Sequence, residues 1–136
     1  MGKIYEYKSC VTIGDTNLLQ NMYFLNHIKL QAIIRELWVK DCVPSYDEDL
    51  KNGLILITKN VHCEYKKEYF LYDDIIITMQ MTDVHECHMK LIFKYFNEDR
   101  GALHADGYQT IYFADKNHKK TPIPENWMKA IEKYHL

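Results

Sequence analysis

The hydrophobic pattern of this chain changes period once, near Gly53, and that change limits the architectures open to it. From Phe24 to Lys40 the apolar residues Leu30, Ile33, Ile34, Leu37 and Trp38 recur at the spacing of one helical face, which predicts an amphipathic helix of about four turns. Beyond Gly53 the period is two. Ile55, Ile57, Val61, Cys63 and Tyr65 alternate with mostly polar residues, and Cys87, Met89, Leu91, Phe93 and Tyr95 do so more regularly, as half-buried strands require. Ile75 to Thr82 and Ala105 to Phe113 read as two further strands, with Asn97-Glu98-Asp99-Arg100-Gly101 as the hairpin turn before the last. Ahead of the helix, Ile4 to Ile13 reads as a first strand closed by Gly14. Asp41 to Gly53, with Pro44, Ser45, Asp47 and Asn52, reads as a loop with at most a short turn. The Pro122 and Pro124 tail cannot continue a strand, and Pro124 to Tyr134 fits a short closing helix.

The order is therefore strand, long helix, then four strands in succession, the pattern of an α+β layer fold with antiparallel hairpins. At 136 residues the chain is long enough for one core and too short for two. A single helix covers one face of the sheet, so the other face, or the sheet edge, calls for a second subunit. The eleven tyrosines suit such an interface, being apolar in the ring and wet at the hydroxyl.

Composition removes several functions. A net charge of −2 gives no general attraction to nucleic acid. No apolar run approaches the roughly 20 residues that span a bilayer, and the N-terminus lacks a signal-peptide pattern, so a cytoplasmic protein is expected. Cys10, Cys42, Cys63 and Cys87 have no metal-type spacing and read as reduced thiols. His85-Glu86-Cys87-His88 looks like a deaminase zinc element, but no P-C-x-x-C follows it, so neither a metal nor a cofactor is expected. Neither of the two serines lies in a G-x-S-x-G elbow, and no G-x-G-x-x-G or Walker loop exists.

Two residues stand out for other reasons. Arg35 is one of only two arginines among 17 basic residues, and arginine suits fixed, planar hydrogen bonding. The positions three and four away are Gln31, Ala32, Trp38 and Val39, so no acid on the same helix pairs with it. It borders the apolar stripe, where spacing alone fits a snorkelling side chain as well as a functional one. Asn17, in Gly14-Asp15-Thr16-Asn17, reads first as a turn or capping residue. It precedes the helix, however, and unpaired N–H groups at a helix start, here expected of Asn21, Met22 and Tyr23, offer an oxyanion site beside it.

The run from Gly14 to His27, GDTNLLQNMYFLNH, resembles the N-terminal signature of hotdog-fold thioesterases of the 4-hydroxybenzoyl-coenzyme A thioesterase family. Its continuation through Gln31 and Arg35-Glu36 is most similar to the thioesterases of enediyne polyketide biosynthesis, and Ala105-Asp106-Gly107-Tyr108-Gln109 and Pro122-Ile123-Pro124 look like the family's ending. The resemblance implies a hotdog fold over residues 1–136, an antiparallel sheet wrapped around one long central helix, assembled as a dimer or a dimer of dimers. It also implies that Asn17 stands where the broad family carries a catalytic aspartate. A carboxamide has no accessible conjugate base, so Asn17 cannot replace that group. The enediyne-type subgroup pairs this Asn with an arginine matching Arg35 and a threonine matching Thr58. His27 departs from the usual tyrosine.

The implied activity is hydrolysis of an acyl thioester, including β-ketoacyl or polyene chains, on an acyl carrier protein or coenzyme A, with decarboxylation to follow for a β-keto acid. Asn17 and Arg35 would be catalytic. Asn21, Met22, Tyr23, His27 and Thr58 would bind substrate, with Met22 and Tyr23 N–H groups on the thioester oxygen and Thr58 facing Asn17 of another subunit. A general fatty or aromatic acyl-coenzyme A thioesterase and a non-catalytic acyl-binding hotdog protein are the alternatives.

Overall fold

The computed structural model describes residues 2–136. Five strands, β1 (Tyr5–Cys10), β2 (Ile55–Tyr65), β3 (Asp74–Thr82), β4 (His88–Phe96) and β5 (Leu103–Ala114), form one sheet in the order β1-β3-β4-β5-β2. Every neighbouring pair is antiparallel. The long helix α1 (Leu25–Cys42) lies against one face, and the shorter α2 (Tyr46–Lys51) and α3 (Glu125–Lys133) accompany it. This is the α+β layer fold that the change of period predicts, in the hotdog arrangement that the resemblance implies.

The helix forms where the pattern places it. His27, Leu30, Gln31, Ile34 and Trp38 are its buried residues, recurring at three- and four-residue intervals on one face. It stops at Cys42 because Pro44 follows: Val43, the residue before the proline, is held extended at φ −118° and ψ 91°. Beneath the helix, β4 turns Met89, Leu91, Phe93 and Tyr95 inward, all at most 2% exposed, and Lys90 and Lys94 outward. Each such apolar side chain contributes about 1.5–3 kcal/mol on burial. In β5 the inward positions are Ala105, Gly107, Gln109, Ile111 and Phe113. The one polar side chain of that row is Gln109, 3% exposed.

Two segments differ from expectation. The first strand ends at Cys10 rather than Ile13, because Thr12 and Asp15 close a capping box around a short 3-10 turn at Ile13–Asp15, with Thr12 N–H on Asp15 Oδ2 at 2.9 Å. The segment expected to be a loop from Asp41 to Gly53 contains α2. Its signal is not an apolar stripe but the acids Asp47, Glu48 and Asp49 in the first turn, which suit the helix dipole. Asp49 also accepts a hydrogen bond from Ser45 at the start of its own helix (2.6 Å) and one from Trp127 Nε1 of α3 (2.7 Å), the second of which ties the two short helices together.

The strand β2 is an edge. It pairs with β5 on one side only, and eleven residues long it bulges between Thr58 and Asn60. No helix among the described residues is long and apolar enough to cross a membrane.

Candidate active site

The loop before α1 holds Asn17 in a built turn. The Asn17 N–H donates to the Asn21 carbonyl and the Gln20 N–H to the Asn17 carbonyl, both at 3.0 Å. Asn17 Oδ1 accepts from Leu19 N–H at 2.9 Å, an Asx turn. Gln20, at φ 64°, takes the left-handed conformation that closes it. The tip exposes Leu18 completely and Leu19 to 80%. The sequence reading of Asn17 as a turn residue thus describes its oxygen. Its amide nitrogen makes no intrachain hydrogen bond among the described residues.

The expected oxyanion donors are not free. Met22 N–H donates to the Tyr69 carbonyl and Tyr23 N–H to the Asp15 carbonyl, both at 2.7 Å, through two isolated bridges that stitch this loop to its neighbours. The physical reason is that α1 starts at Leu25, so Met22 and Tyr23 lie in extended chain whose N–H groups find partners. The N–H groups that a helix start leaves without helical partners belong to its first turn, from Leu25 onward, and of these Asn26 N–H already donates to the Tyr23 carbonyl at 2.9 Å. Tyr23 packs its ring on Phe24, centroids 4.8 Å apart, and only Phe24 of the two lines the neighbouring cleft.

That cleft, of about 450 Å³, is lined by Asn17, Asn21, Met22, His27, Tyr65 and Tyr69 among others. Asn21 is buried, its Nδ2 on Glu68 Oε1 at 2.7 Å and its Oδ1 without a partner. His27 is 3% exposed and sits within 4.6, 6.0 and 5.4 Å of the Tyr65, Tyr69 and Tyr95 rings. Burial pushes its pKa down to about 4, against a partly compensating Phe24 carbonyl, so the imidazole is neutral at neutral pH. Its Nδ1 has no partner.

Arg35 lies elsewhere. It is ten residues beyond the start of α1, about 15 Å along the helix. Its Nη1 donates to Thr58 Oγ1 of β2 at 2.7 Å and to Gln109 Oε1 of β5 at 3.0 Å. Gln109 Nε2 donates to Gln31 Oε1 at 3.0 Å, and Gln31 Nε2 to the His62 carbonyl of β2 at 3.1 Å. Burial lowers the Arg35 pKa from its ordinary value, with Glu36 acting the other way, yet a guanidinium stays charged. No carboxylate among the described residues forms a salt bridge with it. Arg35, with Glu36 beside it, heads a groove of about 490 Å³ whose other walls include Val39, Leu50, Leu54, Leu56 and Trp127.

The chain therefore brings Arg35 and Thr58 together directly, gathers Asn17, Asn21, Met22 and His27 around a separate cleft, and leaves Tyr23 outside both. Thr58, expected opposite Asn17 of another subunit, is already a partner of Arg35 in its own. Sequence reasoning missed Gln31 and Gln109. The available signal was a polar residue on an otherwise apolar stripe in each case, Gln31 between Leu30 and Ile34, and Gln109 between Gly107 and Ile111. Among the described residues no group of three or more His, Cys, Asp or Glu side chains is placed to hold a metal ion.

The sequence profile of a family described as the thioesterase-like superfamily matches residues 11–131. No curated protein matches the chain. Among solved structures, the dynemicin thioesterase, crystallised in a study of polyene binding, superposes with a TM-score of 0.90 at 24% identity, covering 98% of this chain and 99% of that one. A 1,4-dihydroxy-2-naphthoyl-CoA thioesterase from Synechocystis gives 0.86 at 16% identity, covering 95% and 96%. A Staphylococcus aureus protein in complex with CoA gives 0.91 at 18% identity, covering 99% and 85%.

Proposed function

This chain belongs to the thioesterase-like superfamily, and from that premise we propose that it hydrolyses an acyl thioester carried on an acyl carrier protein or coenzyme A. The observation that carries the reading is Arg35, a cation without a carboxylate partner, tied by neutral acceptors at the head of an apolar groove. An acyl chain would lie along Val39, Leu54 and Leu56 with its oxygen-bearing end at the guanidinium. Water attacks the thioester carbonyl, the C–S bond breaks, and the thiol leaves with the proton. Asn17, lacking a basic form, holds the water or the thioester through its amide nitrogen. Positioning and charge stabilisation then supply the rate. With the Met22, Tyr23 and Asn26 N–H groups engaged, the other N–H groups of the first turn of α1, such as Leu25 and His27, are the place for oxyanion donors.

Asn17 and Arg35 serve different ends of one helix, so we propose that the working site joins the Asn17 cleft of one subunit to the Arg35 groove of another. The free edge of β2, with Val61 and Tyr65 43% and 45% exposed, is the surface for that pairing. Four free cysteines fit a reducing cytoplasm.

The polyene named for the dynemicin enzyme supports a long unsaturated chain here. For a β-ketoacyl chain, which the family resemblance alone suggests, Arg35 would hold the carboxylate released before loss of carbon dioxide. The CoA complex of the Staphylococcus aureus protein favours a second reading, a general acyl-CoA thioesterase. Thiol release from a panel of acyl-CoA and acyl-carrier thioesters tests both. Turnover of β-ketoacyl or polyene carriers above simple acyl-CoA supports the first. Acyl binding without any thiol release would make the protein a binder and end the enzyme reading.

A further inference from the structure

We infer that Gln109 is a positioning residue for Arg35, which it aims without neutralising, through a one-way chain of amides anchored at both ends on β2. The inference rests on the reading that Arg35 acts on the thioester.

The polarity of the chain is forced. Arginine only donates, so Gln109 must present its oxygen to Nη1 and its NH2 group to Gln31. Gln31 must then offer its oxygen to Gln109, and its own NH2 group goes to the His62 carbonyl, which only accepts. Neither amide can flip without placing two donors or two acceptors face to face. Gln109 is 3% exposed and Gln31 fully buried, so each unmade bond would be costly. The anchors, Thr58 and His62, flank the bulge of β2.

Gly107 makes the chain possible. A Cβ there would meet the His62 carbonyl and lie 2.6 Å from Gln31 Nε2. Only glycine at this inward position of β5 lets the Gln31 amide reach the β2 backbone.

The consequence falls on Arg35. Its two Nη1 protons are used by Thr58 and Gln109, which leaves Nε and Nη2 with three N–H groups in a fixed fork for a ligand. A carboxylate at position 109 would hold the guanidinium more strongly but would cancel its charge. An amide orients it and leaves the charge intact.

A double-mutant cycle tests this. In the full-length protein, with a thioester that the wild type turns over, Gln109→Leu should lower kcat about tenfold with KM changed less than about threefold, and should have no further effect in an Arg35→Ala background. Gln109→Glu, close to isosteric and paired to the guanidinium, should also lower kcat and is read in the same cycle if the leucine variant fails to fold. Equal losses in both backgrounds, or wild-type kcat in either variant, would overturn the inference. Because the chain has only two arginines, the Arg Nε–H region of a 15N-correlated NMR spectrum gives an activity-free reading. Gln109→Leu or Gln109→Glu should move or broaden the Arg35 signal and leave that of Arg100 in place. An unmoved Arg35 signal overturns the positioning role even if the wild type proves to hydrolyse no thioester, which would count against the activity alone.

Discussion

The two arginines of this chain are held in opposite ways. Arg100, in the turn between β4 and β5, grips Glu6 of β1 with two bonds of 2.6 and 2.7 Å at the surface. Arg35, half-buried, is salt-bridged to no carboxylate among the described residues and is fixed by a hydroxyl and an amide. A cation that closes a turn can be neutralised at no functional loss. One kept charged in an apolar groove is costly to the fold, since desolvation opposes it. Its retention without a salt-bridged carboxylate, with Glu36 acting only at longer range, is the physical argument for a ligand that brings negative charge to it.

The two regions should differ most under a substitution that adds one methyl group. Gly107→Ala drives a Cβ into the β2 backbone and the Gln31 amide, and should lower stability by about 3 kcal/mol, or roughly 10 °C in Tm. Gly101→Ala, beside Arg100, meets only the exposed Asp99 carboxylate at 3.1 Å, and should stay within about 0.5 kcal/mol. Thermal and urea denaturation of the two variants measure this. Equal Tm values would mean that β5 and β2 can part at Gly107 without loss.

Next in size is activity. Arg35→Ala should lower kcat/KM by about a hundredfold, or about 2.7 kcal/mol of transition-state stabilisation, and Asn17→Ala by about tenfold, or about 1.4 kcal/mol. The order follows from what each side chain offers: a charge in a half-buried groove against one end of an exposed amide. Steady-state thiol release decides it. A larger loss for Asn17→Ala would move the centre of the chemistry to the loop.

What could be read beforehand divides along the same line. The strands and α1 were legible because their apolar periods are regular, and the loop around Asn17 because its residues are contiguous in a recognisable run. α2 was hidden because six residues without a buried face carry no apolar stripe, and its only signal is the acids of its first turn. The Arg35 network was hidden because Gln31 and Gln109 are 78 residues apart and meet only once β5 lies under α1. Each looked like a polar interruption of an apolar pattern, and spacing within one element cannot say that two interruptions satisfy each other. The N–H groups of Met22 and Tyr23 were misjudged for a related reason: their partners, Tyr69 and Asp15, come from chain brought alongside by the fold.

His27 sharpens the contrast from another side, since this interior keeps a guanidinium charged but an imidazole neutral. With the folded pKa near 4, below its unfolded value of about 6.5, the unfolded chain binds the extra proton between those limits. The stability His27 contributes is complete above about pH 6.5, falls as pH drops toward 4, and is level below that, with a limiting slope of about 1.4 kcal/mol per pH unit. His104, also pushed down by burial, adds a slope of the same sign. His27→Tyr should flatten the urea-derived stability profile between pH 6.5 and 4 without abolishing it. An unchanged slope would show that the ring is not kept neutral by the fold.

The smallest effect is expected at Arg100. Its pairing holds the Glu6 carboxyl below the ordinary carboxylate range, chiefly through the hydrogen bonds. That contribution is present above the unfolded Glu pKa and lost as pH falls through the folded one. An exposed pair is screened by salt and of little net value even when bidentate. Arg100→Ala should therefore leave kcat and KM at wild-type values and lower Tm slightly at low ionic strength, the difference closing as salt is raised. Tm measured at low and at molar salt, beside kcat, checks both parts. A fall in kcat would end the contrast between the two arginines, because an exposed ion pair on the β1 side of the sheet has no physical route to a site on β2 except through the fold, and a loss of fold would persist in salt.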